Sequence, residues 1–302
     1  MNSEDIQTEE RDRTEPEGQE PHLTVLHAVG MIILLTVLQL LLSMMLSKSK
    51  LMLLEETSWL NIAITHAVSG LLTAQAGAIL AGFSLLAILT DSELKFSAVP
   101  PLLLGVFGIS ILSSELSNFL QWIEPIDKAY VEAFQKLFQQ NRLGVFFAIG
   151  IVAPVAEELI FRGVMLEGLR SRYRLRVAIF TTTLLFGIVH IFPWVILNAF
   201  LLGLFFAWLK LETRSLMLCI VAHGFYNSLP FLFTGFFSVE IPGYTPLPGD
   251  EVQFQPWWFD LLGIVLTAVG ITSLRSMYRS ENHKLSGQPP PNVSGTDESP
   301  WF

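Results

Sequence analysis

The sequence has little charge and almost no cysteine. Only 15% of its 302 residues are Asp, Glu, Lys or Arg, whereas 51% are hydrophobic and the mean hydropathy is +0.51. These values lie outside the range of ordinary soluble domains and predict a polytopic membrane protein. The one cysteine, Cys219, can form no internal disulfide and stands in an apolar run, which favours a small buried side chain.

The sequence also lacks a surplus of basic residues. The net charge is −9, and residues 1–21 contain eight acidic residues against Arg11 and Arg13, so this segment alone carries −6. The rest of the chain is only weakly acidic, which argues against nucleic acid as a partner. We expect residues 1–21 to be a disordered acidic tail and the Pro-, Gly- and Ser-rich residues 281–302 to be a disordered C-terminal tail.

Apolar runs near the roughly 20 residues needed to cross a bilayer occur at about 23–46, 60–89, 99–122, 143–169, 176–192, 194–210, 215–237 and 257–274. They predict an all-α fold, a polytopic transmembrane helical bundle of about eight spans. Pro193 separates two short runs and favours a tight helical hairpin. Residues 126–138 alternate apolar and charged side chains at helical spacing, as in a helix that lies in the interface.

The chain therefore divides into segments of different character. Its predicted parts are N-terminal transmembrane helices with the interfacial helix in 22–142, a helical core in 143–237, a loop in 238–256 and a last span in 257–280. Lysines and arginines predict the orientation, because cytoplasmic loops are enriched in them. Basic residues follow three of the runs, at Arg170–Arg176, Lys210–Arg214 and Arg275–Lys284, whereas the 238–256 loop has acidic residues and no basic one. The three basic segments are therefore predicted to lie in the cytoplasm, and the 238–256 loop is predicted to be extracytoplasmic.

Three of the apolar runs contain polar residues at matching spacings. The motifs are EELIFR with Glu157, Glu158 and Arg162, FGIVH with His190, and HGFYN with His223 and Asn227. An ionisable residue at membrane depth costs roughly 2.5–3.5 kcal/mol on insertion scales, so it is usually retained for function. At 1.5 Å per helical residue, Glu157, His190 and His223 lie about 20, 21 and 14 Å from the basic ends of their helices. The sequence thus predicts a polar catalytic cavity near mid-membrane.

The helical positions give these residues different roles. Glu158 and Arg162 form an i,i+4 pair in the favourable order, while Glu157 is rotated about 100° away. Arg162 should hold Glu158 as a structural pair and leave Glu157 to accept a proton. His223 and Asn227 lie one turn apart and can both donate hydrogen bonds to an oxyanion. A water molecule, a Glu or His base and two donors make a hydrolytic site.

Each motif also has a structural interpretation. An EExxxR string on a soluble helix is usually a solvated salt-bridge face, and a single intramembrane histidine often only joins helices. The combination of all three motifs in order and at similar depth favours catalysis. We interpret other polar residues of the apolar runs as helix-packing groups: His66, Gln75, Glu115, Asn118 and Asn198.

The three motifs resemble those of the CAAX protease and bacteriocin-processing family, also called Abi, which includes the Ras-converting CAAX endopeptidase. The resemblance covers about residues 143–237, and it implies an integral-membrane glutamic endopeptidase. By this resemblance Glu157 and His190 activate water, and His223 and Asn227 stabilise the oxyanion. Glu158 and Arg162 then support the site, so that every motif position of the family is present in the chain.

Two alternatives remain open from the sequence. A zinc metalloprotease could use Glu157, Glu158, His190 and His223 as ligands, although no HExxH pair is present. The buried charges could also only lock the helices of a non-catalytic immunity factor, scaffold or transporter. The main prediction is an endopeptidase without a cofactor, acting on a membrane-anchored or prenylated (lipidated) protein or peptide. Its membrane would be the plasma membrane in a bacterium or the ER membrane in a eukaryote.

Overall fold

A computed structural model describes residues 23–48, 58–90, 92–129, 131–132, 136, 141–236, 240–245 and 252–286. Within these ranges the chain is helical and has no strand, which confirms the predicted all-α fold. The predicted acidic tail and residues 287–302 lie outside the described residues. The acidic pair Glu55 and Glu56 lies outside them as well.

Nine helices, numbered here α1 to α9, make up the described fold: Val25–Ser47, Trp59–Ala81, Leu85–Thr90, Val99–Ile123, Arg142–Arg170, Leu175–Ile188, Pro193–Thr213, Leu216–Pro230 and Trp257–Ser286. A 3₁₀ turn at Phe96–Ala98 leads into α4, and a π-helical turn at Phe231–Phe236 extends α8. Seven of these helices (α1, α2, α4, α5, α7, α8 and α9) are long and apolar enough to cross a membrane. The chain is therefore an integral multi-pass membrane protein.

The predicted count of about eight spans needs one correction, at α6. This helix has only 14 residues, too few to cross a bilayer unaided. Its role follows from α7, whose Lys210 pairs at 3.7 Å with Glu167 at the end of α5. This pair shows that α5 and α7 end at the same face of the bundle. The helix α6 must therefore carry the chain from that face into the bundle before α7 returns to it. The predicted helical hairpin is present, with its turn between Ile188 and Pro193.

Three element boundaries also differ from the sequence prediction. The run at 60–89 breaks at Gly82, whose φ of 71° ends α2 in a left-handed cap. The helix α9 continues to Ser286, six residues into the segment predicted as disordered tail. Of the predicted interfacial helix at 126–138, residues 128, 129, 131, 132 and 136 are helical, and 130, 133–135, 137 and 138 lie outside the described residues.

The basic ends of the helices lie at one end of the bundle. Lys95, just before α4, lies 4.8 Å from the centre of the Tyr278 ring near the end of α9. The helices α4 and α9 pack closely over their whole length through small residues; a Cβ at Gly108 would lie 2.6 Å from the carbonyl oxygen of Gly263. We retain the prediction that this basic end faces the cytoplasm.

Candidate active site

Two π-helical turns in α5 flank the adjacent carboxylates. The first spans Ala148–Val152 and the second Leu159–Met165, so Glu157 and Glu158 end the short α-helical stretch between them. Pro154 explains the first turn, because proline has no N–H for the carbonyl of Gly150 and its ring would clash with that carbonyl. Such turns are frequent at functional sites because they reorient the side chains next to them.

Glu158 lies at the centre of a buried charged network. Its side chain has an exposure of 0%, and its Oε1 accepts hydrogen bonds from Nη1 of Arg162 at 3.0 Å and Nδ1 of His223 at 2.8 Å. Arg162 also donates from Nη2 to the carbonyl oxygen of Gly203 on α7, at 3.2 Å. This ion pair therefore connects α5, α7 and α8, and it has the i,i+4 geometry predicted for it.

Three phenylalanine rings surround the Arg162 guanidinium. Its central carbon lies 4.4 Å from the ring centre of Phe186, 5.2 Å from that of Phe206 and 5.9 Å from that of Phe161. The Phe206 ring also stacks on His223, with 5.0 Å between ring centres. A weakly hydrated guanidinium is suited to such a site, because the ring faces attract its charge while the planar fork donates in two directions.

Glu157 differs from its neighbour in both exposure and bonding. Its side chain is 19% exposed, and its Oε2 lies 3.8 Å from Nε2 of His223, which is too long for a hydrogen bond. This oxygen is buried and has no hydrogen-bond partner among the described residues. The site thus contains one carboxylate that is held in place and, beside it, one with an oxygen available to a ligand or to water.

On α8, Asn227 also contacts the first π-helical turn. Its Nδ2 donates to the carbonyl oxygen of Ile149 at 3.1 Å. The two helices approach closely here, because a Cβ at Gly224 would lie 2.7 Å from the carbonyl oxygen of Gly150. This close contact fixes the segment of α8 that presents His223 to the two glutamates.

His190 lies at the end of α6, in the turn of the hairpin, and is half-buried. Its Nδ1 is 2.8 Å from the carbonyl oxygen of Phe186. Because a carbonyl only accepts, Nδ1 must carry the hydrogen, and Nε2 is left to act on another group. The Phe186 ring touches both histidines, with ring centres 5.1 Å from His190 and 5.8 Å from His223. Within the described chain, no hydrogen bond or ion pair joins His190 to Glu157.

A protein metal site needs several donor side chains that converge on one point. In the part of the chain that the structure describes, no group of three or more His, Cys, Asp or Glu side chains is arranged to hold one. His223 already uses Nδ1 toward Glu158, so Nε2 of His223 and Oε2 of Glu157 are the two atoms nearest to a shared ligand position. That the enzyme works without a metal cofactor stays a prediction.

The sequence predicted the polar residues of this cluster, but it gave no role to the phenylalanine rings around Arg162 or to the π-helical turns. Phe186 stands four residues before His190, and this helical spacing could have placed it on the same face. The contribution of Phe206 and Gly203 has no comparable signal, because α7 carries no motif. Pro154 is a signal for a local helix distortion, although not for its type.

The fold and this cluster define a polytopic membrane protein with a buried Glu–Arg–His site. Residues 139–229 match the model of the family described as type II CAAX prenyl endopeptidase Rce1-like. The match begins just before α5, ends in α8 and contains all six candidate site residues. No curated protein and no solved structure gives a significant match. The chain is a membrane endopeptidase, as predicted from the three motifs.

Proposed function

We propose that this site hydrolyses a peptide bond of a membrane-anchored or lipidated protein, with Glu157 as the general base. The observation that supports this role is the contrast between the two carboxylates. Both have a buried Oε2 without a hydrogen-bond partner in the described chain. Glu158, however, is 0% exposed and bound through Oε1 to Arg162 and His223, whereas Glu157 is 19% exposed and makes neither hydrogen bond. An unpaired buried carboxylate oxygen is unfavourable unless water or substrate completes it.

In this mechanism, a water molecule lies between Glu157 and His190. Glu157 takes one proton of the water while the water oxygen attacks the peptide carbonyl carbon. Nε2 of His190 accepts a hydrogen bond from the same water and orients it. The proton on Glu157 then passes to the departing amine as the C–N bond breaks. The half-buried position of His190 at the hairpin turn is compatible with this role, because the Nδ1 bond to Phe186 fixes the ring.

His223 and Asn227 supply the oxyanion donors. His223 can donate from Nε2 only when both ring nitrogens carry hydrogen, and the imidazolium charge would then balance the cluster of two glutamates and Arg162. Asn227 has two amide hydrogens, of which the bond to Ile149 uses one. The second hydrogen is available to the oxyanion, and Glu158 with Arg162 holds the His223 ring in position.

The family description names a prenyl endopeptidase, so the first substrate class to test is a prenylated peptide with a C-terminal Cys-aliphatic-aliphatic-X sequence. A prenyl chain would keep such a substrate in the bilayer, where a site at membrane depth can reach its peptide bond. We expect the reaction to need no metal. Elemental analysis of active protein should find no stoichiometric zinc, and recovery of chelator-lost activity by zinc alone would instead favour the metalloprotease.

The test compares two carboxylates of α5 in purified full-length protein in lipid nanodiscs, using a farnesylated fluorogenic peptide. Glu157→Gln keeps the shape of the side chain but removes the base, and should lower turnover by roughly 10²–10⁴. Glu167→Gln is the matched control, because Glu167 lies at the basic end and pairs with Arg170 and Lys210. Its turnover should stay within about twofold of wild type, because these partly exposed pairs lie away from the α5–α8 cluster.

Retention of more than a tenth of wild-type turnover by folded Glu157→Gln would remove Glu157 from the base role. If the wild type leaves the farnesylated peptide intact, membrane proteomics of cells with wild-type or Glu157→Gln protein should find substrates by their altered termini. The absence of any difference between the two would contradict a proteolytic role for Glu157.

A further inference from the structure

A cavity separate from the candidate active site lies between α4, α7 and α9. Its volume is about 440 Å³, within the range of ligand sites. The side chains around it are almost all apolar, and those that define its course are Ile109, Leu116, Leu201, Phe205, Trp208 and Ile271. The helix α7 separates the two sites, since Gly203 and Phe206 face the active site while Leu204 and Phe205 line this groove.

The groove runs along the bundle axis toward the basic end. Trp208 lies five residues before the end of α7, and Ile271 lies one turn before Arg275 on α9. Leu201 marks the deeper end, seven residues or about 10 Å from Trp208. Leu201 and Leu204 are 45% and 36% exposed on the outer surface of the bundle, so the groove opens toward lipid.

Two hydrogen-bond donors at the basic end of this groove are unused. Nε1 of Trp208 and Nε of Arg275 are both buried and have no hydrogen-bond partner among the described residues. Trp208 lines the groove, and the Arg275 guanidinium lies 5.7 Å from the centre of its ring, so the two donors lie near each other. A buried donor without an acceptor is unfavourable, and a bound acceptor would remove this cost.

We propose that this groove binds one anionic phospholipid, with an acyl chain between α4, α7 and α9 and the phosphate accepting hydrogen bonds from Trp208 and Arg275. Basic pockets between transmembrane helices and tryptophans at the interface are the usual elements of such sites. The positive charge of Arg275 disfavours the cationic headgroup of a zwitterionic lipid. The binding is independent of the proposed catalytic roles.

The test measures lipid binding by the full-length protein in detergent at about 0.3 M salt, where exposed charges are screened. Native mass spectrometry with added phosphatidylglycerol should show one bound lipid. Phosphatidylcholine should bind at least about tenfold more weakly, because its choline cation offsets the charge of the phosphate beside Arg275. Arg275→Gln should weaken phosphatidylglycerol binding by about tenfold or more, and Trp208→Phe by about threefold to tenfold, the usual range for charged and neutral hydrogen bonds.

Arg279→Gln is the matched control, because Arg279 is exposed on the same helix and removes the same charge. Its binding should change by no more than about twofold in that salt. Leu204→Trp should fill the groove and prevent binding while both donors remain. If Arg275→Gln does not fold, Arg275→Lys keeps the charge but lacks Nε–H, and weaker binding by this variant supports the same contact.

Three results would overturn the proposal. Equal binding of phosphatidylcholine and phosphatidylglycerol would show that the headgroup charge is not recognised. Stabilisation by inorganic phosphate alone, equal to that by phosphatidylglycerol, would show an ion site without a lipid chain. Displacement of phosphatidylglycerol by a farnesylated peptide whose affinity is unchanged in Arg275→Gln would assign the groove to a prenyl chain.

Discussion

Two regions of the bundle contain buried polar residues, and they are built differently. At the end of α4 away from the basic end of the bundle, here called the outer region, the carbonyl oxygen of Gly243 accepts hydrogen bonds from Ser114, Asn118 and Gln255. Glu115 lies beside them, and its Oε2 accepts from the side chain of Asn118 and from the backbone of Gln255. These contacts attach the loop before α9 to α4, which is the packing role predicted for Glu115 and Asn118.

The region between α5 and α8 has charges of both signs instead. Glu158 is paired with Arg162 and His223, and Glu157 retains a buried oxygen without a partner among the described residues. Glu115, by contrast, has no Lys, Arg or His within 4.0 Å in the described chain. Both regions hold carboxylates, so the presence of a carboxylate inside the bundle does not identify the site. The convergence of two carboxylates, an arginine and a histidine does.

Tyr244 in the loop before α9 supports the structural role of the outer region. Burial raises the pKa of Tyr244 to about 12, and the hydrogen bond with Ser110 offsets part of this rise. The hydroxyl therefore stays neutral at physiological pH and serves as a hydrogen-bonding group. It contributes no charge to the outer region, in contrast to the side chains around Glu158.

The largest effect is expected for Arg162→Ala, which removes the cation between Glu158 and the three phenylalanine rings. Breaking a buried pair by removing one partner costs about 3–5 kcal/mol, because the other charge stays buried. The thermal midpoint in detergent and the turnover should both fall. Arg162→Lys should be intermediate, since an ammonium cannot reproduce the planar contacts to Glu158 and Gly203.

Arg176→Ala provides the control for this experiment, because Arg176 is exposed at the start of α6. Its thermal midpoint and turnover should match those of wild type. An Arg162→Ala protein that melts normally but has no activity would mean that Arg162 contacts the substrate. The active-site region would then depend on charge for recognition and not for its structure.

A smaller loss of turnover is expected for Asn227→Ala. Removal of one oxyanion donor lowers kcat by roughly 10²–10³ with little change in KM, since the contact forms only in the transition state. The same change removes the hydrogen bond from Asn227 to the carbonyl oxygen of Ile149, so it should also lower the stability of the contact between α5 and α8. A normal kcat in Asn227→Ala, together with a lower thermal midpoint, would assign this residue to helix packing alone.

The sequence predicted much of this site because its polar residues stand on helices in ordered motifs. The spacing of Glu158 and Arg162 predicts their pairing, and the apolar runs predict which residues lie at membrane depth. The length of α6 was overestimated, because the apolar run continues through the hairpin turn to Phe192 while the helix ends at Ile188. Apolar composition does not distinguish a buried turn from the end of a helix.

The contacts that complete the site could not be predicted from the sequence. Phe206 and Gly203 reach Arg162 from α7 only because the hairpin packs that helix against α5 and α8. The π-helical turns depend on how the carbonyls beside Pro154 are satisfied, and the carbonyl of Ile149 finds its donor on α8. Such long-range partners depend on tertiary packing, for which a single sequence contains no local signal.

The smallest effect is expected in the outer region, for Asn118→Ala. This change removes the donor to Gly243, at 2.6 Å, and the donor to Glu115, at 3.0 Å. The free energy of unfolding in detergent should fall by about 1 kcal/mol, the usual net contribution of a hydrogen bond, because Gly243 and Glu115 each keep another donor. Turnover per folded molecule should stay within about twofold, because neither acceptor belongs to the α5–α8 cluster and distant sites are nearly additive. A loss of kcat at unchanged stability would instead make the outer region part of the active site, and the distinction between a packing region and a catalytic one would fail for this protein.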